Sequence, residues 1–301
     1  MAQLYKDFGT WMSERLPFKV QKLSIDAGFS CPNRDGRIGY GGCTFCDNRT
    51  FSLPYCDSKK SIVQQLEEGK RFFHERYSAM KYLAYFQAYT NTYAPLDTLK
   101  TLYETALQVK DVVGIIIGTR PDCVSDSLFD YLEQLARQVF VMVEFGVESA
   151  NDATLKRINR GHDFACSRKA IEECHSRGIY TGAHIILGLP GEDKDEVIRQ
   201  ASLISALPID VLKIHQLQII RGTKLAVEYE RSPFRLYTAN EYIELIIRYI
   251  SHLRKDLVLD RFVSQSPKEL LVAPKWNLKN HEFMYLLQQR MQQQLGISIK
   301  V

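Results

Sequence analysis

No apolar run in this 301-residue chain approaches the roughly 18–20 residues that a membrane-spanning helix needs. The longest core-like stretches, around Ile115 and Ile185, are far shorter, so no membrane partner is expected. The N-terminal MAQLYKDFGTWMSERL sets charges among its apolar residues and lacks the h-region of a signal peptide. Internal repeats and low-complexity tracts are also missing. Charge of one sign is in short supply: a net charge of +4 and a pI near 8.6 permit an anionic partner such as RNA without demanding one. These absences lead us to expect a cytoplasmic protein. That compartment keeps thiols reduced, so the seven cysteines are not expected to form a disulfide framework. They are metal ligands, catalytic groups or buried small hydrophobes. With 45% hydrophobic and 25% charged residues, the chain suits one large globular domain, or one domain with an extension.

Short β-branched or aromatic runs alternate with amphipathic stretches. Strands are expected over 20–27, 81–89, 112–119, 139–147, 180–188 and 211–219. Helices are expected over 58–77, 97–109, 126–137, 163–177 and 193–206, with Ser58 and Asp97 as capping signals and Gly178 as a stop. Strands alternating with helices argue for parallel βαβ units, and six units suit a complete or partial (β/α) barrel. An open doubly wound sheet is the alternative. It is disfavoured because no dinucleotide-type glycine fingerprint follows the first strand. After Thr223 the rhythm changes. A helix in TANEYIELIIRYISHLRKDL, two short extended pieces around Val258 and Leu271, and a last helix over 279–295 read as an α+β extension on the barrel. The chain thus divides into an N-terminal segment (1–19) packing on the barrel, a core (20–222) and a substrate-side extension (223–301).

The first strand runs into GFSCPNRDGRIGYGGCTFCDNRTF. Cys43 and Cys46 form a CxxC pair that can reach one metal centre from a single turn, and Cys31 must fold back to join them. Gly36, Gly39, Gly41 and Gly42 allow such a loop, and their N–H groups can face an anionic cluster. Three thiolates on a [4Fe–4S] cluster leave one iron open, whereas structural zinc wants four closed ligands. Cys56 stands as a fourth candidate, so zinc is the competitor, although no second CxxC is present. The loop falls at the C-terminal end of the first strand, where barrel active sites are built.

Polar residues recur at the other strand ends: Gln87, Tyr89, Thr90 and Asn91; Thr119, Arg120 and Asp122; Glu144 and Glu148; the GLPGE of 188–192; and His215, Gln216 and Gln218. Ionisable groups inside apolar strands are costly unless they serve a site. Each has a bland reading, such as an ion pair for Glu144 or a helix cap for Asp122. Their convergence on one barrel face favours a large polar cofactor. Cys123, Cys166 and Cys174 share no metal spacing and read as core thiols.

The blocks DFGTW, DAGFSCPNRDG…GGCTFC, FQAYTNTYAP, IGTRPDC, FGVESAN, INRGHD, ILGLPGE, HQLQIIRGT and LLVAPKWNLK cover nearly the whole chain. Through them it resembles the radical S-adenosylmethionine superfamily, YhcC/YtqA type, related to the radical domain of the elongator catalytic subunit. The eleven-residue gap between Cys31 and Cys43 departs from the superfamily's common three-residue spacing and is characteristic of this branch. The resemblance implies a partial (β/α)6 TIM-like barrel and two cofactors, a [4Fe–4S] cluster and S-adenosylmethionine. Cys31, Cys43 and Cys46 would ligate three irons, and the methionine amino and carboxylate groups the fourth. Phe45 would pack near the adenine. Gln87 and Thr90 stand where a glycine-rich motif usually meets the methionine amino group, but the glycines are missing. Glu148 would bind the ribose, Arg160 the carboxylate, and the backbone from Ile186 through Gly188 to Leu189 the adenine.

The same resemblance implies an electron donor such as flavodoxin or ferredoxin, and a 5′-deoxyadenosyl radical that abstracts hydrogen from a substrate. It points to tRNA, at the step from 5-carboxymethylaminomethyl to 5-aminomethyl uridine at the wobble position. Arg120, Asp122 and His162 are candidates for substrate contact, and Lys275, Trp276, Lys279, Arg231 and Arg235 suit an RNA-facing rim. Two other readings stand beside this one: a radical enzyme acting on a small metabolite or tetrapyrrole, and a zinc-stabilised nucleic-acid-binding protein without catalysis.

Overall fold

The computed structural model describes residues 5–50, 52–74 and 80–294. Residues 1–4, positions 75–77 of the helix expected over 58–77, and position 295 of the last helix lie outside the described residues. Ten strands are present among the described residues: β1 (Lys6–Asp7), β2 (Val20–Ile25), β3 (Lys81–Phe86), β4 (Val112–Thr119), β5 (Phe140–Glu148), β6 (Tyr180–Leu187), β7 (Val211–Gln216), β8 (Ile219–Ile220), β9 (Val258–Arg261) and β10 (Leu271–Ala273). The helices between them are α1 (Phe8–Ser13), α2 (Ile62–His74), α3 (Leu96–Leu107), α4 (Asp126–Ala136), α5 (Asp152–Arg157), α6 (Phe164–Ser176), α7 (Lys194–Ser205), α8 (Lys224–Arg231), α9 (Ala239–Ile250) and α10 (Asn280–Gln294).

All six expected strands form, and the sheet runs β1-β9-β7-β6-β5-β4-β3-β2, every pair parallel. From β2 to β7 the order never reverses, so there is no switch point of the doubly wound kind. The partial barrel is borne out, with one addition. The change of rhythm after Thr223 is temporary: α9 leads into β9, which pairs with β7 as a seventh core strand, and β1 adds an eighth at the edge. The short pair β8–β10 is antiparallel and separate.

Helix starts follow local chemistry. Ser125, Asp163, Asp193 and Thr223 each accept a hydrogen bond from the first turn of α4, α6, α7 and α8, and Thr238 and Glu241 make a capping box on α9. Two expected caps are displaced. Asp97 lies within the first turn of α3, where its charge suits the helix dipole, and α2 begins only after Ser61, whose hydroxyl accepts from the Gln64 N–H at 3.2 Å. Gly178 ends the α6 region at φ +70°, as expected.

Outward-facing strand residues such as Ile115, Val143, Ile185 and Leu212 form the main core under the helices. Inward-facing residues form three layers. At the N-terminal mouth Trp11 and Met12 of α1 plug the barrel against Leu83, Phe140, Met142 and Val258. Above them lies a charged layer. Lys213 Nζ sits 2.6 Å from Glu144 Oε2, and Lys22 Nζ 2.6 Å from Asp260 Oδ2. Lys22 comes from the β2 edge and Asp260 from β9, on the far side of the sheet, so this ion pair closes the gap between the sheet's two sides. The third layer is the functional cavity.

Candidate functional site

A cavity of about 240 Å³ opens at the C-terminal ends of the strands. Cys31, Cys43 and Cys46 all line it, with Phe45 between the last two. The loop that brings them together is held by its own backbone: the Arg34 and Asp35 N–H groups donate to the Cys31 carbonyl, and that of Cys46 donates to Cys43. Gly41 and Gly42 have φ of +76° and +77°, a left-handed backbone that L side chains resist, and a Cβ on Gly42 would lie 2.9 Å from Arg34 Nε. Long-range bonds then seat the loop. Asn33 donates to the Asn159 carbonyl, Asn159 donates to the Gly42 carbonyl at 2.8 Å, and the Thr44 N–H donates to Ile158.

All seven cysteines are free. Cys56 donates its thiol to the Ser24 carbonyl at 3.0 Å, Cys174 is buried in the core, and neither lines the cavity. Among the described residues no group of three or more His, Cys, Asp or Glu side chains is set to hold a single metal ion. Three thiols round one cavity instead suit a cluster, in which each thiolate reaches a separate iron. Burial pushes the Cys46 thiol up to about 11, the nearby Cys43 acting the same way and Arg34 opposing, so metal must displace a proton there.

The next shell is cationic and partly unpartnered. Arg160, 6% exposed, places Nη1 3.5 Å from Cys43 Sγ and Nη2 3.7 Å from Glu148 Oε1, and donates to the Gly146 carbonyl. Its Nε is buried without a partner, as is Thr90 Oγ1. Gly146 leaves the space for this: a Cβ there would lie 2.6 Å from Arg160 Nη2. Glu148 reaches the cavity because β5 carries an irregularity between Gly146 and Glu148, where Glu148 takes φ +67°. Strained backbone of this kind persists where surrounding structure holds it, and it clusters at functional sites. Tyr89, at φ +61°, is a second such residue on the cavity wall. Buried orphan donors and acceptors beside three thiols fit a polar cofactor on a cluster.

Gln87, Ile186 and Arg120 also line the cavity. Arg120 makes a bidentate pair with Asp122 at 2.8 and 2.7 Å and donates to the Arg160 carbonyl, while its Nη1 is buried without a partner. Asp122, His162, Gly188 and Leu189 are not among the lining residues. Asp122 faces a second surface cavity, and His162 is half-buried, its titration pushed down to about 4 by burial and the Arg160 charge. Trp276 does not face a rim: it stacks on Phe283 and donates its indole N–H to Tyr237, while Arg235 pairs with Glu241.

The floor of the cavity is the charged layer. Glu144 is 1% exposed and Lys213 2%. Burial opposes the Glu144 charge, but Lys213, the His184 hydrogen bond and Lys22 outweigh it and hold the carboxyl well below its usual range. Gly182 is required beside it, since a Cβ there would lie 2.9 Å from Glu144 Cγ. Sequence reasoning singled out Glu144, His215, Gln216 and Gln218 but missed His184, Tyr85, Arg261, Ser264 and Ser266 on the same walls. The last three come from a segment whose membership of the barrel has no local signal.

Two family models match the chain: the Radical SAM superfamily over residues 33–204 and the Radical_SAM C-terminal domain over 209–293. The chain is 34% identical to YtqA of Bacillus subtilis over 280 residues, covering 93% of this chain and 87% of that protein. It is 36% identical to YhcC of Escherichia coli over 277 residues, covering 92% and 88%. A tRNA uridine(34) acetyltransferase of Methanocaldococcus infernus is 28% identical over 196 residues, 64% of this chain and 36% of that one. The solved structure of Methanocaldococcus infernus Elp3 superposes with a TM-score of 0.69 at 19% identity, covering 93% of this chain and 64% of its own.

Proposed function

Because the chain belongs to the radical SAM superfamily, and so uses a [4Fe–4S] cluster and S-adenosylmethionine, we propose that it modifies the wobble uridine of tRNA. The conversion is that of 5-carboxymethylaminomethyl to 5-aminomethyl uridine. When bound, the cluster and its cofactor supply a 5′-deoxyadenosyl radical for hydrogen abstraction. The superfamily match removes the zinc-stabilised, non-catalytic reading.

The residues divide the work. Cys31, Cys43 and Cys46 would hold the cluster. Arg160 would meet the cofactor carboxylate with a charge-assisted bond, Glu148 the ribose, and Phe45 and Ile186 the adenine. Gln87, which accepts from Ser24 at 3.0 Å, and Thr90, whose hydroxyl is unpartnered, take the methionine amino group. Arg120 serves as a brace through Asp122 and the Arg160 carbonyl, fixing the arginine behind Cys43. Layers of apolar and paired charged side chains below exclude water from the reacting end.

The observation that carries the tRNA assignment is the match, over 64% of this chain, to a protein named for tRNA uridine 34. An electron donor of the flavodoxin or ferredoxin class and a cytoplasmic setting belong to the same proposal. Modified nucleosides in tRNA from a deletion strain and its parent test it. Accumulation of 5-carboxymethylaminomethyl uridine, reversed by the intact gene and not by a Cys43→Ala copy, is expected. An unchanged wobble-uridine profile, in an organism that makes the modification, sinks the assignment.

A further inference from the structure

Two irregularities in the sheet turn charged side chains into the cavity. One presents Glu148, which faces Arg160. The other lies in β9, where Leu212 and Lys213 of β7 stand opposite Leu259 and Arg261, so β9 carries one residue more. The extra residue lets Asp260 join the charged layer while Arg261 still lines the cavity. Asp260 is occupied by Lys22 and Lys213, at 2.6 and 3.5 Å. Glu144 is occupied by Lys213 and His184. Arg261 has no ion pair or hydrogen bond to any described residue, although a guanidinium carries five donors. Arg261 is half-buried, and its donors are open to the cavity beside acids already taken by Lys22, Lys213 and His184.

Its neighbours are suited to the same visitor. His215 stacks on His184 with ring centroids 5.3 Å apart, and its Nε2 is buried without a partner. Its Nδ1 lies 3.4 Å from the Ser264 hydroxyl, which can donate to it and leave the Nε2 proton facing the cavity. Burial, with the nearby His184 and Arg261, holds this imidazole well below its ordinary range. The segment after Arg261 is fixed: Gln216 exchanges two bonds with the Ser264 backbone, and Ser266 donates to Gln218 at 2.6 Å.

We propose that Arg261 and His215 anchor a carboxylate of the substrate against the β7–β9 wall of the cavity that the three cysteines also line. A carboxylate has two oxygens, one for the guanidinium fork and one for the imidazole N–H. Its identity rests on the tRNA reading, in which it is the carboxylate that the substrate carries and the product lacks. The anchor would distinguish substrate from product by the very group that is lost.

The test uses cluster-reconstituted holoenzyme with S-adenosylmethionine, as wild type, Arg261→Gln and Arg261→Lys, each checked for cluster absorption. The first probe is the free nucleoside 5-carboxymethylaminomethyluridine against 5-aminomethyluridine. Wild type is expected to prefer the carboxylate by about 10-fold, as a charge-assisted pair supplies, Arg261→Gln to lose the preference, and Arg261→Lys to keep part of it. The second probe does not depend on tRNA: stabilisation of the same proteins by acetate or inorganic phosphate over chloride at matched ionic strength. Acetate is expected to raise the melting temperature of wild type more than that of Arg261→Gln. If wild type leaves tRNA unchanged but acetate still separates the two proteins, the tRNA reading fails and the carboxylate anchor stands. Equal responses of wild type and Arg261→Gln to both probes overturn the anchor. Selective stabilisation by phosphate alone overturns its carboxylate assignment. A loss in Arg261→Gln that falls equally on S-adenosylmethionine affinity overturns its placement on the substrate.

Discussion

Glu144→Gln is nearly isosteric and removes one charge from a layer that is balanced in the intact protein, Lys22 and Lys213 against Glu144 and Asp260. Lys213, 2% exposed, then loses its partner at 2.6 Å and must share Asp260, 3.5 Å away, with Lys22. Removing one member of a buried pair costs about 3–5 kcal/mol, because the survivor stays buried and uncompensated. For 301 residues at about 2.1 cal/mol/K each, the unfolding entropy is about 0.6 kcal/mol/K, so the melting temperature should fall by about 5–8 °C. Adding Lys213→Met restores neutrality, with Lys22 still on Asp260. The double variant should therefore be more stable than the sum of the two single losses by about 1–3 kcal/mol. Urea unfolding of the four proteins, followed by far-ultraviolet circular dichroism, reads the cycle. A Glu144→Gln loss below about 1 kcal/mol, or simple additivity, would show that the layer does not act as a paired network.

Further outcomes are expected at Lys22 and Glu148. Burial, reinforced by the Lys213 charge, pulls Lys22 from its ordinary 10.5 down to about 8, against Asp260 and Glu144, which oppose the shift. Between those values the unfolded chain holds more protons, so the wild type should gain stability over Lys22→Met from pH 8 to 10, by about 1 kcal/mol per unit; parallel pH profiles would refute this. At Glu148, φ +67° suits glycine and resists a β-branched residue, so Glu148→Val should be about 1–2 kcal/mol less stable than Glu148→Gly. Both should bind S-adenosylmethionine at least about 10-fold more weakly, as loss of a charged hydrogen-bonding group predicts, and undiminished affinity would remove Glu148 from the cofactor site.

Much of the barrel was legible because its signals are local. Runs such as VVGIIIGT and FVMVEFGVE mark strands by composition alone, and their alternation with helices makes a parallel sheet the economical solution. The cysteine loop was legible for the same reason: spacing and glycine content are properties of one short segment. The caps at Ser58 and Asp97 were misplaced by a few residues, since tertiary packing selects which polar residue in a cluster begins a helix.

By itself the sequence determined that Cys31, Cys43 and Cys46 share a loop after the first barrel strand, and that polar residues crowd the other strand ends. Only the tertiary structure decided which of them face the cavity. Side-chain direction in a strand alternates with register, and one extra residue re-aims every side chain beyond it. That irregularity in β9 brings Arg261 to the cavity wall, and curling of the sheet brings Lys22 within 2.6 Å of Asp260, 238 positions along the chain. Both depend on strands meeting across long stretches of sequence, where no local propensity acts.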